Sequence, residues 1–417
     1  MSGRAVILGA GVIGLCTAFY CARRGWRVTV VERNGEQRDG CSFGNTGMIV
    51  PSHFVPLAAP GMVALALRWM WDPASPFYVK PRASWDLLHW GVKFWRAANA
   101  AQALRAGRLL RDLIMASRDC YAELVSQADD FGFIQRGLLA LCKTQHALDE
   151  EAKAAELARE LGLAAEVLDP KQTAARDPGI RMEVAGSVCF SQDCNLAPER
   201  LMPSMQRRLA SAGVEFAWNT EVAGWRIEDR KIRAAVTSAG AEIEADEFLL
   251  CAGSWSPGLA RQLDLNLPLQ PGKGYSLTLA RPRQSPRLCA LLTEARVAVS
   301  PMNGALRFGG TMELAGLDET VNPIRVRSIA AAAQRYYPDL TPADFEGIQP
   351  WRGLRPCSPD GLPYVGRTDR CSNLIVATGH AMLGITLGPI TGKLSAQLLS
   401  GEPPGLDISL LSPARYD

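Results

Sequence analysis

Apolar positions open the chain as a short unbroken run, Ala5-Val6-Ile7-Leu8, followed at once by Gly9-Ala10-Gly11-Val12-Ile13-Gly14. A run of this kind predicts a buried strand that enters a glycine turn. Residues 15–25 then predict a helix closed by Gly25, and residues 27–31 a second strand that ends at Glu32. Residues 100–165 read mainly as helices, with a short apolar strand at 137–141. Residues 198–212 predict a helix and 214–218 a strand. From 221 to 243 apolar and polar positions alternate, as in antiparallel strands turning at Asp229-Arg230. A buried strand follows at 247–251 and leads into Ala252-Gly253-Ser254-Trp255. Residues 267–350 read as strand-rich with one helix at 325–337. The last section predicts a turn and strand at 359–366, a strand at 374–377, a small-residue turn at 378–384, and a helix from about 388 to 400.

The order strand, glycine turn, helix, strand, acid is a dinucleotide fingerprint. Gly9 permits the tight turn, Gly11 lets backbone amides approach a pyrophosphate, and Gly14 lets helix and strand pack closely. The helix N-terminus offers unpaired N–H groups to phosphate. Glu32 lies 18 residues beyond Gly14. It is suited to the adenosine ribose hydroxyls and disfavours a 2′-phosphate, so NAD or FAD fits better than NADP.

Nucleotide-type segments recur at the start, middle and end of the chain. FAD needs contacts along its pyrophosphate, ribitol and ring, which suits a chain that returns repeatedly to one domain. The expected fold is therefore α/β, with a discontinuous Rossmann-like FAD-binding domain of glutathione-reductase type. It is assigned residues 1–60, 185–262 and 350–417. An α+β substrate domain with an antiparallel sheet takes 61–184 and 263–349. The loop Cys41–Met48 has small residues that let backbone approach a flat ring.

Composition narrows the partners. A chain of 417 residues suggests two or three domains, and a net charge of +3 gives no reason to expect nucleic acid. Eleven scattered cysteines without a C-x-x-C pair suit reduced thiols in the cytosol. Four histidines without metal spacing make a metal site unexpected. The fingerprint strand leaves no room for a signal peptide, and no apolar run of 18 residues suggests a span.

Several motifs carry a resemblance. They are residues 6–14, Asn45-Thr46-Gly47, Ala58-Ala59-Pro60-Gly61, Lys273-Gly274-Tyr275-Ser276-Leu277-Thr278, Gly353-Leu354-Arg355-Pro356, Pro359-Asp360-Gly361, Thr378-Gly379-His380 with Leu383-Gly384, and Ala414-Arg415-Tyr416. Through them nearly the whole chain resembles the small subunit of FAD-dependent D-amino-acid dehydrogenases. That family lies within the wider group of D-amino-acid, glycine and sarcosine oxidases. The resemblance implies non-covalent FAD and hydride transfer from an amino-acid α-carbon to flavin N5. The imino product hydrolyses, or persists as a cyclic imine. Electrons pass to a membrane quinone or another acceptor, from a cytoplasmic position that includes contact with the inner membrane face. Fingerprint and resemblance together place the cofactor against Gly9, Gly11, Val12, Ile13, Gly14, Glu32 and Arg33. It continues along Ser42, Asn45, Thr46, Gly47 and Met48, then Val222, Ala252, Gly253 and Trp255. The last contacts are Gly379, Gly384, Ile385, Thr386 and Leu387, where a helix N-terminus near Leu387 faces the flavin N1–C2 region. One departure stands out. The glycine oxidase branch carries an arginine where Met382-Leu383 stand here, so its second carboxylate anchor is absent. Ile385-Thr386-Leu387-Gly388-Pro389 looks more like relatives that oxidise D-hydroxyproline.

Arg355 is the leading substrate residue, because a guanidinium binds a carboxylate through two parallel hydrogen bonds. Its alternative is a structural ion pair, and Arg352 competes for the role. Tyr275 is read either as a donor to the carboxylate or as a strand aromatic. His380 is read as touching the ring or as a satisfied structural histidine. His53 is read as bordering the pocket or as lying in an exposed loop. Half of the ten tryptophans (Trp69, Trp71, Trp85, Trp90 and Trp95) fall between residues 55 and 96 among basic residues. This stretch is read either as a membrane-seating surface or as a lid or core. The competing functions are an oxygen-using oxidase of the same fold, a flavin-bearing subunit without its own catalysis, and an NAD dehydrogenase.

Overall fold

The computed structural model describes residues 3–70, 72, 74–127 and 130–417; Trp71 lies outside them. Its architecture is α/β. A six-stranded sheet runs in the order Tyr364–Arg367, Leu374–Thr378, Glu247–Leu250, Arg4–Leu8, Arg27–Val31, Glu215–Ala217. All neighbours are parallel except the first pair. The central strand is the opening apolar run, and its neighbours come from the middle and end of the chain, as the discontinuous reading expects. Val222–Glu228, Lys231–Thr237 and Glu242–Glu244 form a separate antiparallel sheet. Asp229 and Arg230, with φ of 50° and 57°, turn its hairpin.

A nine-stranded mixed sheet forms the second layer, covered on one side by the helix Pro323–Tyr336. Two of its strands correct the domain bounds expected from sequence. Gly186–Phe190 hydrogen-bonds to Leu138–Cys142 and Ala165–Leu168, not to the nucleotide sheet. Trp351–Cys357 pairs with Gln270–Leu279 across its whole length. In both cases pairing over five or more residues fixes membership, which single-strand periodicity cannot reveal.

The helices Val12–Arg23 and Gly384–Leu399 pack face to face. A Cβ on Gly392 would lie 2.5 Å from the Cys16 carbonyl, so glycine is what allows this approach. The second helix starts at Gly384, four residues before the expected start, and contains Pro389. Proline cannot donate to the carbonyl four residues back. The Tyr121 hydroxyl donates to that Ile385 carbonyl instead, at 2.7 Å. Two of the motifs that carried the resemblance also meet here: Arg415 donates to both carboxylate oxygens of Asp360, at 2.8 and 3.0 Å, and stacks on Tyr364. All eleven cysteines are free, and Cys41 alone is not buried.

Candidate active site

A cavity of about 560 Å³ opens where the two large sheets meet. It begins at the glycine turn. Gly9 has φ +106°, and a Cβ there would lie 2.6 Å from the Cys251 carbonyl. A Cβ on Gly14 would sit 1.9 Å from the Gly9 carbonyl, whereas one on Gly11 meets nothing closer than 3.7 Å. Gly14 is thus a packing residue below the turn, and Gly11 leaves its surface open to a phosphate. The Val12 amide donates to Ser42 Oγ at 3.0 Å. Arg38 adds a cation beside the turn, donating to the Ala10 carbonyl at 2.7 Å.

Glu32 is buried at the strand end. Its carboxylate accepts from the Ala10 amide at 2.8 Å and the Asn34 amide at 3.0 Å. It braces the glycine turn and still has lone pairs for ribose hydroxyls. Next to it the Arg33 guanidinium lies 3.6 Å over the Trp255 ring. Val222, Ala252 and Gly253 complete this end. Ser254 Oγ donates to the Leu354 carbonyl at 3.0 Å, tying this turn to the substrate sheet.

The loop 39–47 forms the opposite wall, and substrate-sheet donors hold its carbonyls. Trp351 Nε1 donates to the Asp39 carbonyl at 2.8 Å and Ser276 Oγ to that of Gly44 at 3.0 Å. Arg307 donates to the carbonyls of Phe43 at 3.3 Å and Asn45 at 2.8 Å. The open Gly11 surface, the helix start and Arg38 fit the pyrophosphate of an adenine dinucleotide, and the Glu32 carboxylate fits its ribose hydroxyls.

At the far end Arg355 enters the cavity from the strand Trp351–Cys357. Its NH1 donates to the Thr311 carbonyl at 2.7 Å. Among the described residues no carboxylate lies within ion-pair distance of it, and the Cys41 and Cys357 thiols are close enough to act on its charge. Burial pushes its pKa below the ordinary range. Arg352, the competitor, is already engaged by Asp39 and by Glu319.

Fifteen of the expected site residues line this cavity: Gly9, Gly11, Val12, Ile13, Glu32, Arg33, Ser42, Asn45, Val222, Ala252, Gly253, Trp255, Arg355, His380 and Gly384. The rest do not. The Tyr275 hydroxyl donates to Glu313 at 2.7 Å inside the core of the substrate domain, so the carboxylate-donor role has no geometric basis. His53 lies outside the lining and shares a hydrogen bond with Ser52 Oγ. Burial, with Arg296 nearby, pushes its pKa down to about 4. His380 lines the cavity, but its Nε2 is bonded to Thr391 Oγ1 at 3.0 Å and burial pushes its pKa down to about 3. Gly14, Thr46, Gly47, Met48, Gly379, Ile385, Thr386 and Leu387 flank the lining residues in sequence without being among them; Thr386 donates to the Met48 carbonyl. Sequence reasoning missed Arg38, Thr311 and Gly274. Gly309-Gly310 before Thr311 was the available signal, because glycines inside a strand mark bulges or close approach.

Over residues 4–398 the sequence matches the family described as FAD dependent oxidoreductase (DAO). It is similar to the D-amino acid dehydrogenase of Granulibacter bethesdensis, 33% identical over 423 residues covering 99% of each chain. It is also similar to that of Vibrio atlanticus, 32% identical over 418 residues and again 99% of each. Among solved structures, glycine oxidase from Geobacillus kaustophilus matches with a TM-score of 0.76 at 23% identity, covering 100% of both chains. L-proline dehydrogenase from P. horikoshii matches with a TM-score of 0.76 at 17% identity, covering 100% of this chain and 98% of that one. At those identities the two structures share the fold.

Proposed function

The chain belongs to the DAO family of FAD dependent oxidoreductases, and on that premise we propose that it is a dehydrogenase of D-amino acids, cyclic imino acids such as D-hydroxyproline included. The observation that carries the reading is Arg355, a permanently charged, half-buried group that faces the cavity with one carbonyl partner among the described residues. An amino-acid carboxylate supplies the missing anion, with two parallel hydrogen bonds to the guanidinium. FAD, bound non-covalently, would be held by the glycine turn and the loop 39–47 and would supply the two-electron acceptor for the α-carbon hydride. The protein contributes alignment. Arg355 fixes the carboxylate, the Thr311 carbonyl fixes Arg355, and hydride transfer from a neutral amine demands no side-chain general base. The helix starting at Gly384 presents its positive end to the same cavity.

For the acceptor we propose a quinone reached at a membrane surface. The helix Trp85–Ala97 supports this. Its inner face, with Leu87, Trp90 and Phe94, packs on Met312, Leu314 and Ala381. Its outer face is also apolar, with Trp85 84% and Trp95 65% exposed beside Leu88 and Val92. Exposed Arg68, Arg96 and Arg105 lie on it or on the flanking helices, while Asp86 is paired with Arg261. This is the chemistry of a peripheral contact with an anionic bilayer; no helix among the described residues is long and apolar enough to cross one.

The test is a dye-linked screen of D-amino acids and hydroxyproline isomers on the purified flavoprotein, with peroxide measured in parallel. Dye reduction by D-isomers that exceeds peroxide formation supports a dehydrogenase; equal peroxide makes the protein an oxidase. Arg355→Ala is expected to raise KM by about 100-fold, the loss of a bidentate charged contact, with FAD content unchanged. Unaltered substrate affinity would remove the carboxylate assignment.

A further inference from the structure

The strand Ala305–Leu314 does not run straight past the anchor. Lys273 pairs with Glu313, but Tyr275 pairs with Gly310. Two residues, Thr311 and Met312, therefore stand opposite Gly274 alone, which is a β-bulge. At Thr311 φ is +61°. A β-branched residue with left-handed backbone is a steric outlier that persists only where its surroundings enforce it. Bulges of this kind re-aim groups beside functional sites. Here the bulge turns the Thr311 carbonyl out of the ladder and onto Arg355 NH1, at 2.7 Å.

A second arginine enforces the bulge from behind. Arg325, fully buried on the helix Pro323–Tyr336, donates Nε to Thr311 Oγ1 at 3.3 Å. Its NH2 donates to the carbonyls of Ser75 at 2.9 Å, Pro76 at 3.2 Å and Met312 at 3.3 Å. The Met312 amide donates to the Pro76 carbonyl at 2.8 Å. The bulge is thus gripped on its side chain and on the residue that follows it.

We infer that Thr311 and Arg325 are positioning residues for substrate binding: Arg325, through the Thr311 hydroxyl, holds the bulge in the conformation that aims the Thr311 carbonyl at Arg355 and so sets the guanidinium for the carboxylate. This rests on Arg355 being the carboxylate anchor. Neither residue touches substrate.

The experiment uses the FAD-loaded enzyme. It compares Thr311→Val, which keeps the β-branch and removes the hydroxyl, with Thr311→Ser, which keeps the hydroxyl. Each is made in the wild-type and Arg355→Ala backgrounds. The readouts are KM and kcat for the best D-amino acid, and the flavin difference spectrum on titration with propionate, which carries the carboxylate and no amine. Thr311→Val is expected to raise KM and the propionate dissociation constant about tenfold, the effect of one charge-assisted hydrogen bond, with kcat within about twofold and FAD content unchanged. Thr311→Ser is expected to restore both constants. In the Arg355→Ala background Thr311→Val is expected to add nothing, because the two residues act in series. Wild-type propionate affinity in Thr311→Val, alongside lost affinity in Arg355→Ala, overturns the positioning role and leaves the anchor standing. So does a Thr311→Val effect of the same size in the Arg355→Ala background. Retained affinity in Arg355→Ala overturns the anchor itself, and the positioning role with it.

Discussion

Gly274→Ala tests whether the Arg355 guanidinium must lie where the structure puts it. An ideal Cβ at this position falls 2.2 Å from both terminal nitrogens of Arg355 and 2.3 Å from its Cζ. Ordinary contact begins near 3.4 Å, so the guanidinium has to retreat by roughly 1 Å or more. Its bond to the Thr311 carbonyl is 2.7 Å long, and a shift of that size carries it past the roughly 3.2 Å limit of a good N–H···O contact. Losing a hydrogen bond to a charged group costs about 1.5–3 kcal/mol, or about 10–100-fold in carboxylate affinity. The backbone at 274 is not left-handed, and the obstacle is the movable end of a side chain. Global stability should therefore change by less than about 1 kcal/mol. Steady-state kinetics, propionate titration of the flavin spectrum and thermal unfolding separate these effects. Raised KM with unchanged Tm and FAD content is expected. Unchanged KM together with a lowered Tm would refute the reasoning, because the methyl would then strain the sheet and leave the substrate untouched.

Three further expectations concern other parts of the molecule. His380 is buried and held neutral, with its pKa down at about 3 against 6.5 in a free chain. The unfolded chain binds the extra proton between those values, so stability is lost as pH falls below 6.5, by roughly 1.4 kcal/mol per pH unit. His380→Gln should flatten the acid limb of Tm against pH, and parallel limbs would show that the imidazole charges freely in the folded state. Arg307→Met removes the donors to the Phe43 and Asn45 carbonyls and should raise the FAD dissociation constant about tenfold; equilibrium dialysis showing unchanged retention contradicts that role. The holoenzyme should sediment with phosphatidylglycerol vesicles at low salt, and a Trp85→Ser/Trp95→Ser variant should not, while its dye-linked activity is unaltered. Wild type left in the supernatant, or self-association in place of vesicle binding, rules the bilayer out.

The nucleotide half was legible because its signals are local. An unbroken apolar run, three glycines at fixed spacing and an acid at a strand end each constrain a few neighbouring residues. Glu32 was found for that reason, although its bonds to Ala10 and Asn34 show a bracing role that spacing alone does not reveal. The substrate end was less legible because it depends on register. The slip that creates the Thr311 bulge belongs to the pairing of two strands, not to either sequence. Tyr275 was misplaced for a similar reason: its partner Glu313 lies 38 residues away, so nothing nearby signals that the hydroxyl is already taken. The early start of the helix Gly384–Leu399 was hidden by Pro389, whose disruption Tyr121 repairs from another helix.

The packing of Gly392 against Cys16 joins segments made far apart in synthesis. A ribosome makes Gly384 some 370 residues after Gly14, yet Gly9, Gly11 and Gly384 line one cavity. At translation speeds of about 5–20 residues per second, the glycine turn exists for tens of seconds before its counterpart emerges. During that time the side of the first helix that meets the last one is uncovered and the cavity lacks one wall. The flavin site is therefore complete only once Gly384 and the helix behind it have been made.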